Sequence, residues 1–175
     1  MTYIALLRGI NVGGNSLIKM ADLKREMEDL GCTNVKTVIA SGNVIFDSKI
    51  SEKNIVKNLE EGLFDAFEMD MKIVVRTMAE MEAVIKHAPK NWEKADDIRR
   101  YVAFVRPSAK PTDVIKEITL KDGIDSVESW DGVVYMTTKL SGITKSGFSK
   151  LAGKKIYKEI TIRNYTTVKK LVSSV

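Results

Sequence analysis

The chain has 175 residues, of which 44% are hydrophobic and 29% are charged, with a net charge of +5. This is a normal globular balance that can fill the core of one domain or of two small subdomains. Its single cysteine, Cys32, excludes an intrachain disulfide, and no apolar run approaches the roughly 20 residues that span a bilayer. We therefore expect a cytoplasmic protein without a membrane partner.

The first half of the chain shows the element order β-α-β-β-α-β. Residues 3–8 predict a buried strand rather than a signal peptide, and residues 9–18 predict a Gly/Asn loop. Residues 20–30 have helical spacing and end at Gly31, a typical C′ glycine. Strands over 35–40 and 44–46 flank the turn Ser41-Gly42-Asn43. A second helix, with Ser51 as a plausible N-cap, and a strand over 72–76 complete this half.

The second half repeats that order. Thr77 and Glu80 fit a capping box for a connecting helix through Lys86, and the stretch 89–100 is the best linker candidate. A strand over 101–106 and a helix over 111–120 follow, with Pro at the helix's first turn. Residues 126–130 and 133–137 predict a hairpin across Asp131-Gly132. A weak helix over 146–152, a strand over 156–162 and a terminal helix over 164–172 end the chain.

This order predicts an α+β fold of two tandem ferredoxin-like (βαββαβ) subdomains with an extra C-terminal helix. The expected divisions are an N-terminal subdomain at 1–78, a connecting helix and linker at 79–100, and a C-terminal subdomain at 101–175. The halves share element order but no obvious sequence, so duplication is a hypothesis.

Four short motifs together resemble a known family. They are Arg8-Gly9-Ile10-Asn11-Val12-Gly13-Gly14, Lys19-Met20-Ala21-Asp22-Leu23, Ser41-Gly42-Asn43-Val44, and Arg163-Asn164-Tyr165. The chain resembles the bacterial Domain of Unknown Function 1697 (DUF1697) family from its first strand to its last helix. The resemblance implies a pair of ferredoxin-like subdomains, and it implies no activity, substrate or catalytic residue. The chain departs from the family pattern at Ala40, where Gln is usual, and at Tyr165-Thr166, where Trp-Asn is usual.

The loop after the first strand is the first candidate site. Arg8 ends that strand, Gly13 and Gly14 permit unusual backbone angles, and a helix begins near Lys19. A helix N-terminus attracts anions and Arg adds a bidentate donor, so a phosphate or carboxylate could dock there. The loop matches neither GxGxxG nor the Walker pattern. The alternative is a glycine turn that Asn11 and Arg8 brace.

Two further motifs are candidate partners of that loop. Ser41 and Asn43 offer a hydroxyl and an amide, although Ser-Gly-Asn is also an ordinary hairpin turn. Arg163 and Asn164 precede the last helix, where Asn is a natural N-cap and Arg could bind an anion or brace the two subdomains. The joint hypothesis is a cleft between subdomains into which both arginine motifs face.

Several chemistries are excluded or disfavoured. His87 is the only histidine and Cys32 has no partner at ligand spacing, which disfavours a zinc site or a Cys-His dyad. A magnesium site made of carboxylates stays open, although the Asp and Glu residues fall mostly on amphipathic faces. Our prediction is nevertheless no metal and no cofactor. Ser16-Leu17-Ile18-Lys19 matches S-x-x-K, but no K-T-G follows, so a penicillin-type serine site is rejected. The sequence makes no prediction on whether the chain is an enzyme, nor on its oligomeric state.

Three functional hypotheses remain. The first is a protein that binds a small anionic or phosphorylated ligand in the cleft. The second is a nucleic-acid-binding module, because residues 139–170 hold nine basic residues and one acid. The third is a protein-interaction module without a small ligand, which predicts a large exposed apolar patch.

Overall fold

The computed structural model describes residues 1–11 and 17–174, apart from the side chains of Glu52 and Lys53. By backbone contacts, the chain divides into a first unit, Met1–Met81 with Leu171–Val175, and a second unit, Glu82–Lys170. No helix within the described ranges is long and apolar enough to cross a membrane.

The first unit is a four-stranded antiparallel sheet with two helices on one face. Its elements are β1 (Thr2–Leu7), α1 (Met20–Asp29), β2 (Thr33–Thr37), β3 (Asn43–Asp47), α2 (Glu52–Phe67) and β4 (Ile73–Thr77), followed by α3 (Met78–Lys86). The strand order is β2-β3-β1-β4. A βαββαβ chain that places its first and third strands in the centre has the ferredoxin-like arrangement, so the predicted fold is confirmed for this unit.

The core of the first unit follows from the two hydrophobic periods of its sequence. Alternate residues of β1, namely Tyr3, Ala5 and Leu7, lie on the face that carries the helices. Against them pack the apolar sides of α1 and α2, which contribute Leu23, Met27, Ile55, Leu59 and Leu63. Each such side chain contributes about 1.5–3 kcal/mol when fully buried, so this layer holds the unit's elements in place.

The second unit repeats the sheet order. Its elements are a 3₁₀ helix (Lys90–Glu93), β5 (Ile98–Val105), α4 (Pro111–Glu117), β6 (Asp125–Trp130), β7 (Val133–Lys139), β8 (Ile160–Asn164) and α5 (Tyr165–Val172). The strands lie in the order β6-β7-β5-β8, the same arrangement as in the first unit. The predicted pair of ferredoxin-like subdomains is therefore confirmed.

The segment between β7 and β8 differs from the prediction. The sequence predicted a helix over 146–152 and a strand over 156–162. The segment instead forms three 3₁₀ helices, Leu140–Lys145, Gly147–Gly153 and Lys155–Glu159, and β8 begins only at Ile160. We call these three helices the 3₁₀ cover. Gly147 explains part of the interruption, since a Cβ on it would lie 1.8 Å from the carbonyl oxygen of Thr119. Gly147 N–H also donates to the Asp125 carboxylate at 2.8 Å, which holds this close approach.

The second sheet is covered on its other face by aromatic residues with satisfied polar atoms. Trp92 Nε1–H donates to Thr137 Oγ1 at 2.7 Å, and the Tyr135 hydroxyl donates to the Val84 carbonyl at 2.7 Å. The Trp92 ring meets the edges of Tyr135 and Tyr165 at centroid distances of 5.6 and 4.8 Å. Burial raises the pKa of Tyr135, so its hydroxyl stays a protonated donor.

The strand registers align the two units and show a sequence similarity between them that the order of elements alone does not show. Residues 3–8 read Tyr-Ile-Ala-Leu-Leu-Arg, and residues 101–106 read Tyr-Val-Ala-Phe-Val-Arg. Tyr3 pairs with Thr77 as Tyr101 pairs with Asn164, and Leu6 pairs with Asn43 as Phe104 pairs with Val133. Matching residues thus occupy matching sheet positions, which supports duplication of one βαββαβ unit.

Candidate functional site

The main candidate site lies where β1 ends in the first unit. Leu7 N–H donates to the Gly42 carbonyl at 2.8 Å, and Arg8 N–H donates to the Lys72 carbonyl at 2.9 Å. We call the place defined by Arg8, Gly42 and Lys72 the β1 corner. Arg8 and Lys72 are both half-buried there, because the sheet's backbone bonds place Arg8 beside the segments that lead into β3 and out of α2.

Asn11 joins the two loops at this corner. Its side-chain amide donates to the carbonyls of Ile18 and Ala40 at 2.9 and 2.8 Å, and its Oδ1 accepts from Ile18 N–H at 2.8 Å. Asn11 has a φ of 53°, a left-handed conformation that Asn tolerates better than most residues. These three bonds to backbone groups brace the corner, and a direct ligand contact by Asn11 stays a prediction.

The Ser41-Gly42-Asn43 motif forms a tight turn against the corner. Asn43 is fully buried, and its amide donates to the Val38 carbonyl and to Ser41 Oγ, both at 3.1 Å. Gly42 has a φ of +73°, and a Cβ there would lie 2.8 Å from Ile10 Cγ1 and 3.0 Å from Leu7 Cβ. The buried amide of Asn43 therefore has a structural role, and half-buried Ser41 is the more accessible of the two predicted contacts.

Backbone strain is concentrated in the same turn. Ile39 has a φ of 61°, which is a genuine outlier for a β-branched residue, and its side chain is 44% exposed. Ala40, the next residue, accepts the hydrogen bond from Asn11. Strain of this kind costs on the order of 1–3 kcal/mol and persists only where the surroundings enforce it. The turn is thus held in one conformation beside Arg8.

The other predicted residues of the first loop are placed as follows. Gly13 and Gly14 lie outside the described residues. Lys19 is exposed and stands at the N-cap position of α1, where its side chain makes no capping bond. The predicted helix N-terminus therefore exists near the corner.

Arg163 and Asn164 lie in the second unit, at the end of β8. Arg163 is half-buried, and its Nη1 donates to Thr161 Oγ1 at 2.8 Å and to the Ile162 carbonyl at 3.0 Å. Burial lowers the pKa of Arg163 to about 10, which leaves it protonated at neutral pH. Asn164 is exposed directly before α5. Convergence of this pair with Arg8 on one ligand stays a prediction.

The internal repeat assigns each arginine a counterpart. Arg163 matches Arg76 of β4, which likewise donates to the carbonyl of its preceding residue, Val75, at 2.9 Å. Arg8 matches Arg106, whose N–H donates to the Glu159 carbonyl at 2.9 Å as Arg8 N–H donates to Lys72. We call the place defined by Arg106, Gly132 and Glu159 the β5 corner, since Val105 N–H donates to the Gly132 carbonyl at 2.8 Å.

Glu159, whose carbonyl accepts from Arg106 N–H, also brings its carboxylate to the β5 corner. Arg106 Nε lies 3.7 Å from Glu159 Oε2, and the Ser108 hydroxyl donates to the same carboxylate. At the β1 corner the position of Glu159 is taken by Lys72, whose Nζ lies 2.8 Å from Asp70 Oδ1. Sequence reasoning missed Lys72 and Arg106, although the repeated Tyr-x-Ala-x-x-Arg pattern could have found the second.

The structure also bears on chemistries other than anion binding. Within the described ranges, no three or more His, Cys, Asp and Glu residues are grouped so that they could hold a metal ion. Cys32 is buried, and burial raises its pKa to about 11, so it is a poor nucleophile at neutral pH. Tyr3 and Phe46 are both buried and stack on each other at 5.8 Å, so neither can serve as a stacking platform for RNA bases.

Comparison with known proteins agrees with this fold and supplies no activity. The profile of the family "Protein of unknown function (DUF1697)" matches residues 1–135. The solved structure of the conserved bacterial protein SP0830 from Streptococcus pneumoniae is 28% identical, with a TM-score of 0.84, and the match covers 98% of this chain and 97% of that one. No curated protein matches the chain. With more than half of its length matched to the family profile, the chain belongs to the DUF1697 family.

Proposed function

We propose that the protein binds a small anionic ligand, a carboxylate or a phosphate, at the β1 corner of its first unit. The observation that carries this proposal is the exchange of Glu159 for Lys72 between two corners with the same backbone geometry. At one corner the residue whose carbonyl accepts from the arginine N–H is a glutamate, and at the other corner it is a lysine.

The β5 corner supports the proposal because it is an example of the binding that we infer. Arg106 and the Ser108 hydroxyl both approach the Glu159 carboxylate, and only 18% of the Arg106 side chain is exposed. Charge-assisted contacts to a carboxylate are roughly twice as strong as neutral hydrogen bonds. The repeat therefore has a corner whose shape accepts a carboxylate group.

Lys72 lines a pocket with four carboxylates, those of Glu60, Glu61, Asp65 and Asp70, and an anion from solution would compete with them for the lysine. Lys72 pairs with Asp70, but the two side chains are 38% and 73% exposed, and such surface pairs contribute about 0–1 kcal/mol. The helix α1, ten residues long, begins at Met20 close to the residues that Asn11 joins, and its N-terminus adds positive potential.

Apolar side chains beside the corner indicate a ligand that is more than an inorganic ion. Leu17 is 74% exposed, and it precedes Ile18, which Asn11 bonds to Ala40 of the strained turn. Ile39 of that turn is also exposed. A small organic acid or phosphate ester with an apolar part would cover both.

Lys72→Glu is the sharpest test, because it places at the β1 corner the residue type that stands at the same position of the β5 corner. We expect affinity for pyrophosphate and succinate to fall at least about tenfold, since a charge-assisted contact worth about 1.5–3 kcal/mol is lost. The measurement is an NMR titration of the full chain. Lys49→Glu makes the same charge change at an exposed site and should leave both affinities within about twofold.

A matched arginine pair tests the position of the site. Arg8→Gln should weaken binding about ten- to a hundredfold, whereas Arg106→Gln, its counterpart in the second unit, should leave binding unchanged and lower only thermal stability. If Lys72→Glu and Arg8→Gln bind as tightly as the wild type, the β1 corner is not the site. The two probes distinguish phosphate from carboxylate ligands.

Two elements of the sequence hypothesis extend this proposal. The ligand was predicted to lie in a cleft between subdomains and to contact Arg163 and Asn164, and both statements stay predictions. An Arg163→Gln variant in the same titration tests them, because loss of affinity comparable to that of Arg8→Gln would support a shared ligand.

A further inference from the structure

A cavity of about 260 Å³ lies within the second unit, between its sheet and the 3₁₀ cover. Its walls are mostly apolar: Tyr101, Met136, Ile143, Phe148 and Ile162. This volume is close to the lower end of the roughly 300–1,000 Å³ that is usual for small-molecule sites.

The cavity exists because the 3₁₀ cover replaces a long helix. In the first unit, the 16-residue α2 occupies the corresponding place in the chain and buries Ile55, Leu59 and Leu63 against the sheet. The 3₁₀ cover contributes fully buried Leu151 and partly buried Phe148 to its core. Three short helices fill less space over the sheet than one continuous helix, and the bond from Gly147 N–H to Asp125 holds them in place.

Two buried hydroxyl residues also line the cavity. Thr138 is 2% exposed and Ser146 is 6% exposed, and Ser146 Oγ accepts a hydrogen bond from Phe148 N–H at 3.2 Å. The Thr138 and Ser146 hydroxyls both interact with the Asp125 carboxylate. Both hydroxyls therefore have a partner in the protein, and the rest of the cavity wall is mainly apolar.

Exposed lysines flank the lining residues of the cavity in sequence, while the Asp125 carboxylate is held by Gly147 N–H, Ser146 and Thr138. Lys139, Lys145 and Lys150 are exposed, and each follows or precedes a lining residue in sequence. No acidic residue occurs between Gly132 and Lys158. An apolar interior with lysines around it complements a molecule that has an apolar body and an anionic head.

We propose that this cavity binds an amphipathic monocarboxylate, with its apolar body between the sheet and the 3₁₀ cover and its carboxylate near Lys145 and Lys150. This site is separate from the β1 corner, and it does not depend on the function proposed there.

A titration of the full chain with octanoate, followed by calorimetry and by methyl NMR, tests the proposal. Ile143→Trp fills the cavity from a residue that is 40% exposed, and it should weaken octanoate binding at least about tenfold. Leu140→Trp is the matched control, because Leu140 lies in the same 3₁₀ helix, is also 40% exposed and does not line the cavity. It should bind octanoate like the wild type.

A second pair of measurements tests the anionic head. The double variant Lys145→Gln and Lys150→Gln should lose affinity for octanoate but retain its affinity for the neutral analogue octanol. The same change at Lys169 and Lys170 of α5 should affect neither ligand. In the Arg8→Gln variant, octanoate should still shift the methyl signals of Ile143 and Ile162, which separates this site from any octanoate binding at the β1 corner.

The proposal is overturned if the wild type shows no saturable octanoate binding, or if Ile143→Trp binds as tightly as Leu140→Trp. Equal loss of octanoate and octanol in the lysine double variant would overturn the assignment of the anionic head.

Discussion

At the scale of single residues, backbone geometry rather than side-chain charge sets the position of Arg8. Leu7 and Arg8 donate to carbonyls on either side of β1, and Asn11 joins the two loops that frame the corner. Gly42 permits this packing because any side chain there would overlap Ile10 and Leu7. The candidate site therefore depends on residues that do not themselves carry charge.

Gly42→Ala should destabilise the protein by about 2–3 kcal/mol, through strain at positive φ together with overpacking against Ile10 and Leu7. Gly31→Ala is a suitable control, because Gly31 also has a positive φ, of +88°, but has nothing within 4 Å of an added Cβ. It should cost about 1 kcal/mol. Chemical denaturation of both variants measures the difference, and equal losses would contradict the packing argument.

At the scale of elements, the helix N-termini show which of the caps predicted from the sequence make a hydrogen bond in the folded protein. The capping box predicted at Thr77 forms: Glu80 accepts from Thr77 N–H at 2.6 Å and from its hydroxyl at 2.8 Å, and Glu80 N–H donates to Thr77 Oγ1 at 3.2 Å. Ser51 takes the predicted N-cap position of α2, but its side chain makes no capping bond. A capping residue in the sequence thus predicts where a helix begins, and only the tertiary structure shows whether its side chain makes the capping bond.

We expect Thr77→Ala to lower the free energy of unfolding by about 1 kcal/mol, the usual cost of a lost N-cap. Ser51→Ala should change it by less than about 0.5 kcal/mol, since no capping bond is removed. Urea denaturation curves of the two variants provide the test. A loss at Ser51 as large as that at Thr77 would show that the structural distinction has no energetic meaning.

At the scale of the whole molecule, the net charge of +5 is distributed unevenly, because residues 139–170 hold nine basic residues and one acid. The lysines of the 3₁₀ cover are exposed, and Lys154 pairs with Glu117 at 3.4 Å. This distribution is the only support for nucleic-acid binding, because the aromatic residues of the first sheet are buried. The third hypothesis, a protein-interaction surface, stays a prediction as well.

Any nucleic-acid binding should accordingly be weak, independent of sequence and sensitive to salt. We expect dissociation constants for single-stranded RNA of about 10⁻⁴–10⁻⁶ M at physiological salt, the range of backbone binding. Replacing Lys145, Lys150, Lys155 and Lys158 by Gln should flatten the salt dependence measured by fluorescence anisotropy. Tight binding that persists in high salt would mean that a surface other than these lysines recognises the bases.

The sequence by itself determined the fold class, because period-2 strands, period-3.6 helices and turn residues such as Asp131-Gly132 act locally. It also predicted that Ser41 and Asn43 lie beside the loop that follows Arg8. It failed over residues 146–159, where the contacts of Gly147 with Thr119 and Asp125 are long-range and override the local helical and strand patterns.

Only the tertiary structure paired the two corners of the repeat. Lys72 and Glu159 lie at unrelated positions in the sequence, and their equivalence appears once the β1–β4 and β5–β8 registers are known. The effect of a charged side chain depends on the groups around it, and strand pairing between distant segments determines which groups those are. The sequence supplied the arginine of the candidate site, and the strand pairing showed that the residue in the place of Glu159 is a lysine.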